Sequence, residues 1–362
     1  MMTLRDVALC VAGVVLVAVV LDSALRTFVL PRGVVVRFTR LISVGVRRVF
    51  DVPTRLAKTY EARDRAMALY GPVAMFVLVI VWMVLVLVGF AMIFVGVEQV
   101  AWKEGFIQSG SSMLTLGFER PFGFGAATIG FAEAAIGLGL LALLIAYLPT
   151  IYGAFSRREV LVAHMAARAG TPPSAVDLLR RAHLIGRLDD LDDVWVEWQL
   201  WFAELQETHT SLGFVNFFRS PEPDRSWITA AGAVLDAAAL VNSTIDQPSQ
   251  PMASLCIRSG FTSLRAIARF FRIPHPFDPA PDDPISIGRG EWEDACRELE
   301  RAGVPLKADR DQAWRDFAGW RVNYDVPLIT LAGLLVAPYA PWSSDRSIPF
   351  KVRIIRSGRS ED

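Results

Sequence analysis

Cysteine and histidine are scarce in this chain of 362 residues: three cysteines, Cys10, Cys256 and Cys296, and four histidines, His164, His183, His209 and His275. No CxxC pair occurs and the histidines are too scattered to share an ion, which argues against a disulfide framework and a zinc site. A charge excess is missing too, because 37 basic residues offset 37 acidic ones, so no global basic bias points to nucleic acid as a partner. Past residue 155 no GxGxxG turn opens a strand and a helix, which leaves a nucleotide-binding domain without support. Asp189, Asp190, Asp192 and Asp193 lack the glycine and closing glutamate of a calcium loop, and read as helix N-terminal charge. No nucleophile, base and orienting group converge, so neither an enzyme nor a cofactor is expected.

Apolar residues, in contrast, make up 53% of the chain, which exceeds an ordinary soluble domain and predicts a membrane protein. Three stretches reach the length of about 20 apolar residues that hydrocarbon requires. The first runs from Val7 to about Leu30 and is interrupted by Asp22 and Arg26; the second, from about Pro72 to Val97, carries no charge before Glu98; the third, from about Ala126 to Phe155, contains a single acid, Glu133. In the first, Arg5 is offset by Asp6 and the basic residues follow the run, the reverse of a cleaved signal peptide, so an uncleaved helix is expected.

Charge between the spans predicts orientation. Arg32, Arg37, Arg40, Arg47, Arg48, Arg55, Lys58, Arg63 and Arg65 stand against only Asp51, Glu61 and Asp64 between the first two spans, and Arg157 and Arg158 follow the third. The positive-inside rule puts both flanks in the cytoplasm, and therefore the N-terminus and the linker between the second and third spans outside.

That outer linker holds SGSSMLTLGFER, Ser109 to Arg120, after Trp102 as an interfacial anchor and the helix-capable segment Glu104 to Leu114. Irregular backbone at membrane depth is tolerated only where protein buries it or water lines it. A span, a half-helix, an extended polar strand and a second span form the layout of a pore loop. Thr115-Leu116-Gly117-Phe118 resembles the Thr-Val-Gly-Tyr start of the potassium-channel selectivity filter, the serines with Met113-Leu114 resemble the end of that family's pore helix, and Ala132 to Leu148 is similar to its inner helix. The resemblance spans about residues 72–155. It implies a filter of Thr115, Leu116, Gly117, Phe118 and Glu119, a homotetramer around one pathway, and potassium or another monovalent cation as the permeant species. Where the family continues with a second glycine and an aspartate, this chain has Glu119 and Arg120, so one carbonyl position either bears a left-handed cost of about 1–2 kcal/mol or is reshaped.

The third span is rich in glycine and alanine, which lets helices approach closely, and Gly137 falls near the family's hinge position. Glu133 is an intramembrane carboxylate with two readings: part of an ion path, or a hydrogen-bond partner of the serines behind the filter. Pro149 removes a backbone donor near the inner end and predicts a kink. The span–loop–span unit occurs once, so a closed pathway needs several copies about an axis.

Beyond Glu159 the composition becomes that of a mainly helical cytoplasmic domain. Trp195, Trp198 and Phe202 share a helical stripe that predicts core, Ile273 to Pro284 reads as a loop dividing the region in two, and Val326 to Trp342, broken by Pro338 and Pro341, suits a buried helix better than a fourth span. The expected fold class is thus all-α, transmembrane helices with a re-entrant pore loop plus a helical cytoplasmic domain. Its parts are a first span (1–30), a basic linker (31–70), the span–loop–span unit (71–156), the helical domain (157–342) and a basic tail (343–362). The expected partners are membrane lipid, further copies of the chain and an unidentified cytoplasmic ligand. A non-conducting receptor or scaffold is the competing reading; a transporter is weaker, because no inverted repeat is visible.

Overall fold

A computed structural model describes residues 2–28, 37–119 and 123–348. Arg32, Arg120 and the basic residues of the tail from Lys351 onward lie outside the described residues. Among those described, every element is a helix; the sole β pairing is an isolated bridge between Ile245 and Leu306. The stretches Leu4–Phe28, Tyr60–Glu98 and Gly123–Ala169 are long and apolar enough to cross a membrane.

The chain divides into two compact units, one of Met1–Asp51 with Tyr70–Tyr152 and one of Val52–Leu69 with Gly153–Asp362. The first contains α1 (Leu4–Phe28), most of α2 (Arg37–Leu56), α4 (Tyr70–Glu98), α5 (Trp102–Met113) and the larger, N-terminal part of α6 (Gly123–Ala169); α3 (Tyr60–Ala68) belongs to the second. Helix α1 runs antiparallel along α4 with small residues at the seam: a Cβ on Gly13 would lie 2.4 Å from the Gly89 carbonyl oxygen, so the two backbones touch there. Asp22 and Arg26, the charges that interrupt this span, form an i,i+4 ion pair at 2.8 Å. Thr39 brings α2 to α1 through the hydroxyls of Thr27 (2.9 Å) and Ser23 (3.4 Å). Helix α6 is continuous through Pro149.

The second unit is a single core built around α9 (Trp227–Ser243). Of this helix only Asn242 is not fully buried, the mark of a helix apolar on all sides. Around it lie α7 (Ala175–Leu184), α8 (Asp192–Ser211), α10 (Pro251–Phe270), α11 (Arg289–Arg301), α12 (Arg310–Arg321) and α13 (Asp325–Leu335). Ser174 caps α7 by accepting from the Asp177 N–H, and Asp192 and Asp193 provide the expected negative charge in the first turn of α8. Trp195, Trp198 and Phe202 are core residues, as their stripe predicts. The proline-rich segment does not split the region: residues on both sides of it join one hydrophobic cluster from Val162 to Trp342, because α10 and α12 both pack on α9. Helix α13 is 11 residues long and buried in this cluster.

Residues 52–69, read from sequence as part of a basic linker, belong to this second unit for a visible reason. Arg219 donates to Asp64 and the Tyr60 hydroxyl of α3, and to the carbonyls of Leu335 (2.6 Å) and Val336 (2.9 Å) at the end of α13. One guanidinium thus satisfies two terminal helix carbonyls and holds α3 against them.

Candidate functional site

Helix α4 stops at Glu98, and Gln99 reverses the chain with a left-handed φ of 57°. Glu104 accepts from the Ala101 N–H at 3.1 Å and so starts α5, which doubles back along α4. The contacts follow in register. A Cβ on Gly105 would lie 3.0 Å from the Ala91 carbonyl and 2.7 Å from a Val95 methyl, and the Ser109 hydroxyl reaches the Leu87 carbonyl at 2.9 Å. From Glu98 back to Leu87 the α4 axis rises about 16 Å, half the thickness of a hydrocarbon layer.

Helix α6 flanks α5 on another side. Ser109 is hydrogen-bonded to Glu133, and a Cβ on Gly137 would lie 2.7 Å from the Met113 carbonyl oxygen. Ser109 and Met113, one turn apart, therefore meet Glu133 and Gly137, also one turn apart. Glu133 and Ser109 are both fully buried. Glu133 Oε2 has no hydrogen-bond partner among the described residues. Of the two sequence readings of Glu133, the contact behind the loop is the one the geometry displays, while Gly137 sits where a tight helix crossing demands the smallest residue.

The loop itself begins as a helix terminus. Thr115 N–H bonds to the Ser112 carbonyl at 3.0 Å and Leu116 N–H to the Ser111 carbonyl at 2.9 Å, the paired bonds of a Schellman motif. The left-handed position of that motif usually belongs to glycine, yet here Thr115 occupies it at φ 54°. A β-branched residue there is a genuine outlier with a cost of about 1–2 kcal/mol. Gly117, two residues on, is also left-handed at φ 69°, which its missing Cβ permits, whereas Leu116 and Phe118 are not. Handedness therefore alternates along Thr115–Phe118. Glu119 keeps a negative φ, so of the two outcomes open at the missing second glycine, a left-handed cost or a reshaped position, the left-handed one is not taken there. The buried Ser111 hydroxyl lies 3.1 Å from the Glu119 N–H and 3.3 Å from its carbonyl, closing the loop onto the helix end. Leu116 (60%) and Phe118 (64%) present large apolar side chains outward.

The structure thus brings Glu133 and Gly137 against α5 and leaves the side chains of Thr115, Leu116, Phe118 and Glu119 exposed. Sequence reasoning passed over the bracing role of Ser111 and the seam at Gly105. A small residue every fourth position, Gly105 then Ser109, was the available signal for the seam; nothing in the sequence distinguishes Ser111 from Ser112. Among the described residues no group of His, Cys, Asp and Glu could hold a metal ion. Compared with protein-family models, with curated proteins and with solved structures, the chain shows no match.

Proposed function

We propose that this chain is one subunit of a cation channel of the pore-loop type, with its pathway lined by the backbone of Thr115–Phe118 and completed by further copies, four in the arrangement the potassium-channel resemblance implies. The observation that carries the reading is the strained, alternating backbone of the loop. A helix can be ended by glycine at no cost, so a β-branched residue held left-handed, two positions before a left-handed glycine, marks a conformation kept for use. Alternating handedness lets successive carbonyls turn toward one side, where they replace the hydration shell of an ion. The half-depth excursion of α5 along α4 supports the same reading, since such a segment is sheltered by protein on one side and can face water on the other. Exposed Leu116 and Phe118 are then the surfaces that neighbouring copies cover.

In this reading the permeant species is potassium or another monovalent cation, with modest discrimination because Glu119 stands at the position of the second filter glycine. Net positive charge between α1 and α4 places that side in the cytoplasm, along with the helical unit that follows α6, and leaves the N-terminus outside. Purified protein in liposomes, with reversal potentials measured under potassium and sodium gradients, tests the proposal. Cation flux that Gly117→Val abolishes is the expected result. Wild-type conduction by Gly117→Val, or no flux from the unaltered protein, reduces the loop to bundle packing.

A further inference from the structure

Helix α2 carries an exposed apolar ridge beside exposed positive charge. Leu41 (51%), Val49 (69%), Val52 (58%) and Leu56 (76%) are large aliphatic residues left uncovered. At about 100° per residue they fall within one arc of about 80° around the helix, with the exposed Gly45 among them. Arg48 and Arg55 border that arc on one side; both are exposed and neither has a hydrogen-bond or ion-pair partner among the described residues. Asp51, the acid within the helix, is taken by Arg47 at 3.1 Å. The opposite face of α2 is committed. Thr39 meets Ser23 and Thr27 near the end of α1, and the Ser43 carbonyl accepts from the Tyr70 hydroxyl at the start of α4, at 3.1 Å. Arg47 lies 5.3 Å from the centre of the Tyr70 ring, and Phe50 meets the same ring edge to face at 5.8 Å. Helix α2 is thereby fixed at the level where one apolar span stops and the next begins, with its ridge on the side turned away from these contacts.

An unpaired arginine is ordinary on a helix in water, and exposed aliphatic residues are ordinary on a helix in hydrocarbon. Side by side on one helix, at the end of two spans, they match the surface that presents both environments, the boundary between phospholipid head groups and acyl chains. We propose that this face of α2 binds anionic phospholipid, with Leu41, Val49, Val52 and Leu56 inserted among the acyl chains and Arg48 and Arg55 donating to head-group phosphates. A neutral bilayer serves the ridge but leaves the two charges without a net counter-charge, so the preference is for lipid that carries one. The inference rests on α1 and α4 as membrane spans and stands whether or not the loop conducts, since no conduction enters its readout.

The test compares amide hydrogen exchange of the full-length protein in nanodiscs of phosphatidylcholine and in nanodiscs of an equal mixture of phosphatidylcholine and phosphatidylglycerol. Amides of α2 should exchange about 25-fold more slowly in the anionic discs, about fivefold for each arginine, while those of the buried helix α9 exchange alike in both. Arg48→Gln and Arg55→Gln should each keep about fivefold of that difference and the double variant none, and about 0.5 M salt should remove most of it. Both variants alter exposed side chains without partners, so unchanged exchange in α9 is the check that the fold is intact. Val49→Ala raises intrinsic helix propensity, yet it should speed exchange of α2 in both discs because an inserted side chain is lost. Soluble polyglutamate added to the phosphatidylcholine discs should leave α2 as it was. Protection by polyglutamate with none from phosphatidylglycerol assigns the face to an acidic protein and overturns the proposal. Equal exchange in the two kinds of disc, a lipid dependence that survives in the double variant, or no acceleration in Val49→Ala overturns it as well.

Discussion

Each unit buries carboxylates, and they do so in opposite ways. In the helical unit Arg321, fully buried, donates to Asp325 (2.7 Å), to Asp236 (2.6 Å) and to the Trp342 carbonyl (2.7 Å); Asp236 also accepts from Tyr324, and Asp325 from the N–H and hydroxyl of Ser286. Burial opposes the Arg321 charge, but attraction to Asp236 and Asp325 outweighs it and raises its pKa above the ordinary arginine value. In the apolar unit Glu133 meets a single hydroxyl and leaves one oxygen unpartnered among the described residues. A charge with every partner in place is part of a packed core, whereas a carboxyl group with one partner is retained for some other reason.

The largest effect expected from this contrast is at Arg321. Replacing it by methionine keeps the volume and strands two carboxylates, which costs about 3–5 kcal/mol. Denaturant unfolding of the full-length protein, followed by tryptophan fluorescence, measures it. A loss below about 1 kcal/mol shows that the network is not what holds α9, α12 and α13 together, and the contrast with Glu133 collapses.

Glu133 comes next. Ser109 has one hydroxyl hydrogen and two acceptors in reach, the Leu87 carbonyl and Glu133, so it serves only one of them as donor. If that hydrogen goes to Leu87, the group at 133 must itself donate, which an amide can do. Glu133→Gln should therefore melt within about 0.5 kcal/mol of the unaltered protein, while Glu133→Ala should lose about 1–3 kcal/mol through its cavity and the stranded serine. Equal losses in the two variants would show that the charge itself is used.

His209 extends the comparison to a buried group that stays neutral. Burial foremost, and then the neighbouring Arg158 charge, press its pKa well below the ordinary 6.5. Its Nε2 lies 3.2 Å from Arg158 Nη1 and so accepts, with the proton on Nδ1 beside Thr208. The unfolded imidazole takes up a proton as pH falls below 6.5 and the folded one does not, so this contribution to stability is complete above that pH and is lost below it. The slope reaches at most about 1.4 kcal/mol per pH unit. Unfolding midpoints between pH 7.5 and 5.5 should fall for the unaltered protein and flatten in His209→Gln; parallel curves would assign the slope to other groups.

How much of this was open to sequence reading follows from the range of each interaction. Periodicity and run length expose the spans, α5 and the tryptophan stripe of α8, because those signals lie within one helix. The run Val326–Trp342 could be separated from a true span by its length and its prolines, and the buried helix Asp325–Leu335 largely coincides with its apolar part. What no pattern reveals is pairing across long separations: Arg219 with α3, Arg321 with Asp236, and the union of the sequence on both sides of the proline-rich loop in one cluster. At the site, the sequence left Glu133 between an ion path and a hydrogen bond to the serines behind the loop, and the contact present is with Ser109. At Glu119 the sequence left a left-handed cost and a reshaped position both open, and its φ is negative; the left-handed non-glycine residue of the loop is Thr115, which no pattern announced, because the end of α5 takes its Schellman turn two residues before the glycine.

The smallest effect separates two serines on one helix and tests the loop directly. Ser109 faces α4 and α6, so its loss is felt in packing, whereas the Ser111 hydroxyl turns toward the loop and, among the described residues, holds Glu119. The backbone carbonyl of Ser111, which receives the N–H groups of Leu116 (2.9 Å) and Gly117 (3.4 Å), is unchanged by substitution. Ser111→Ala should therefore accelerate exchange of the Glu119 amide about fivefold, equivalent to a lost hydrogen bond of about 1 kcal/mol, and leave the Leu116 amide as it was. Residue-resolved hydrogen exchange on the reconstituted protein reads both amides in one experiment. Acceleration of the two together would mean that the hydroxyl supports the whole helix terminus; acceleration of neither would mean that Glu119 is held by something other than Ser111. Only the split result makes the left-handed turn at Thr115 a property of the backbone, independent of the clasp that closes the loop behind it.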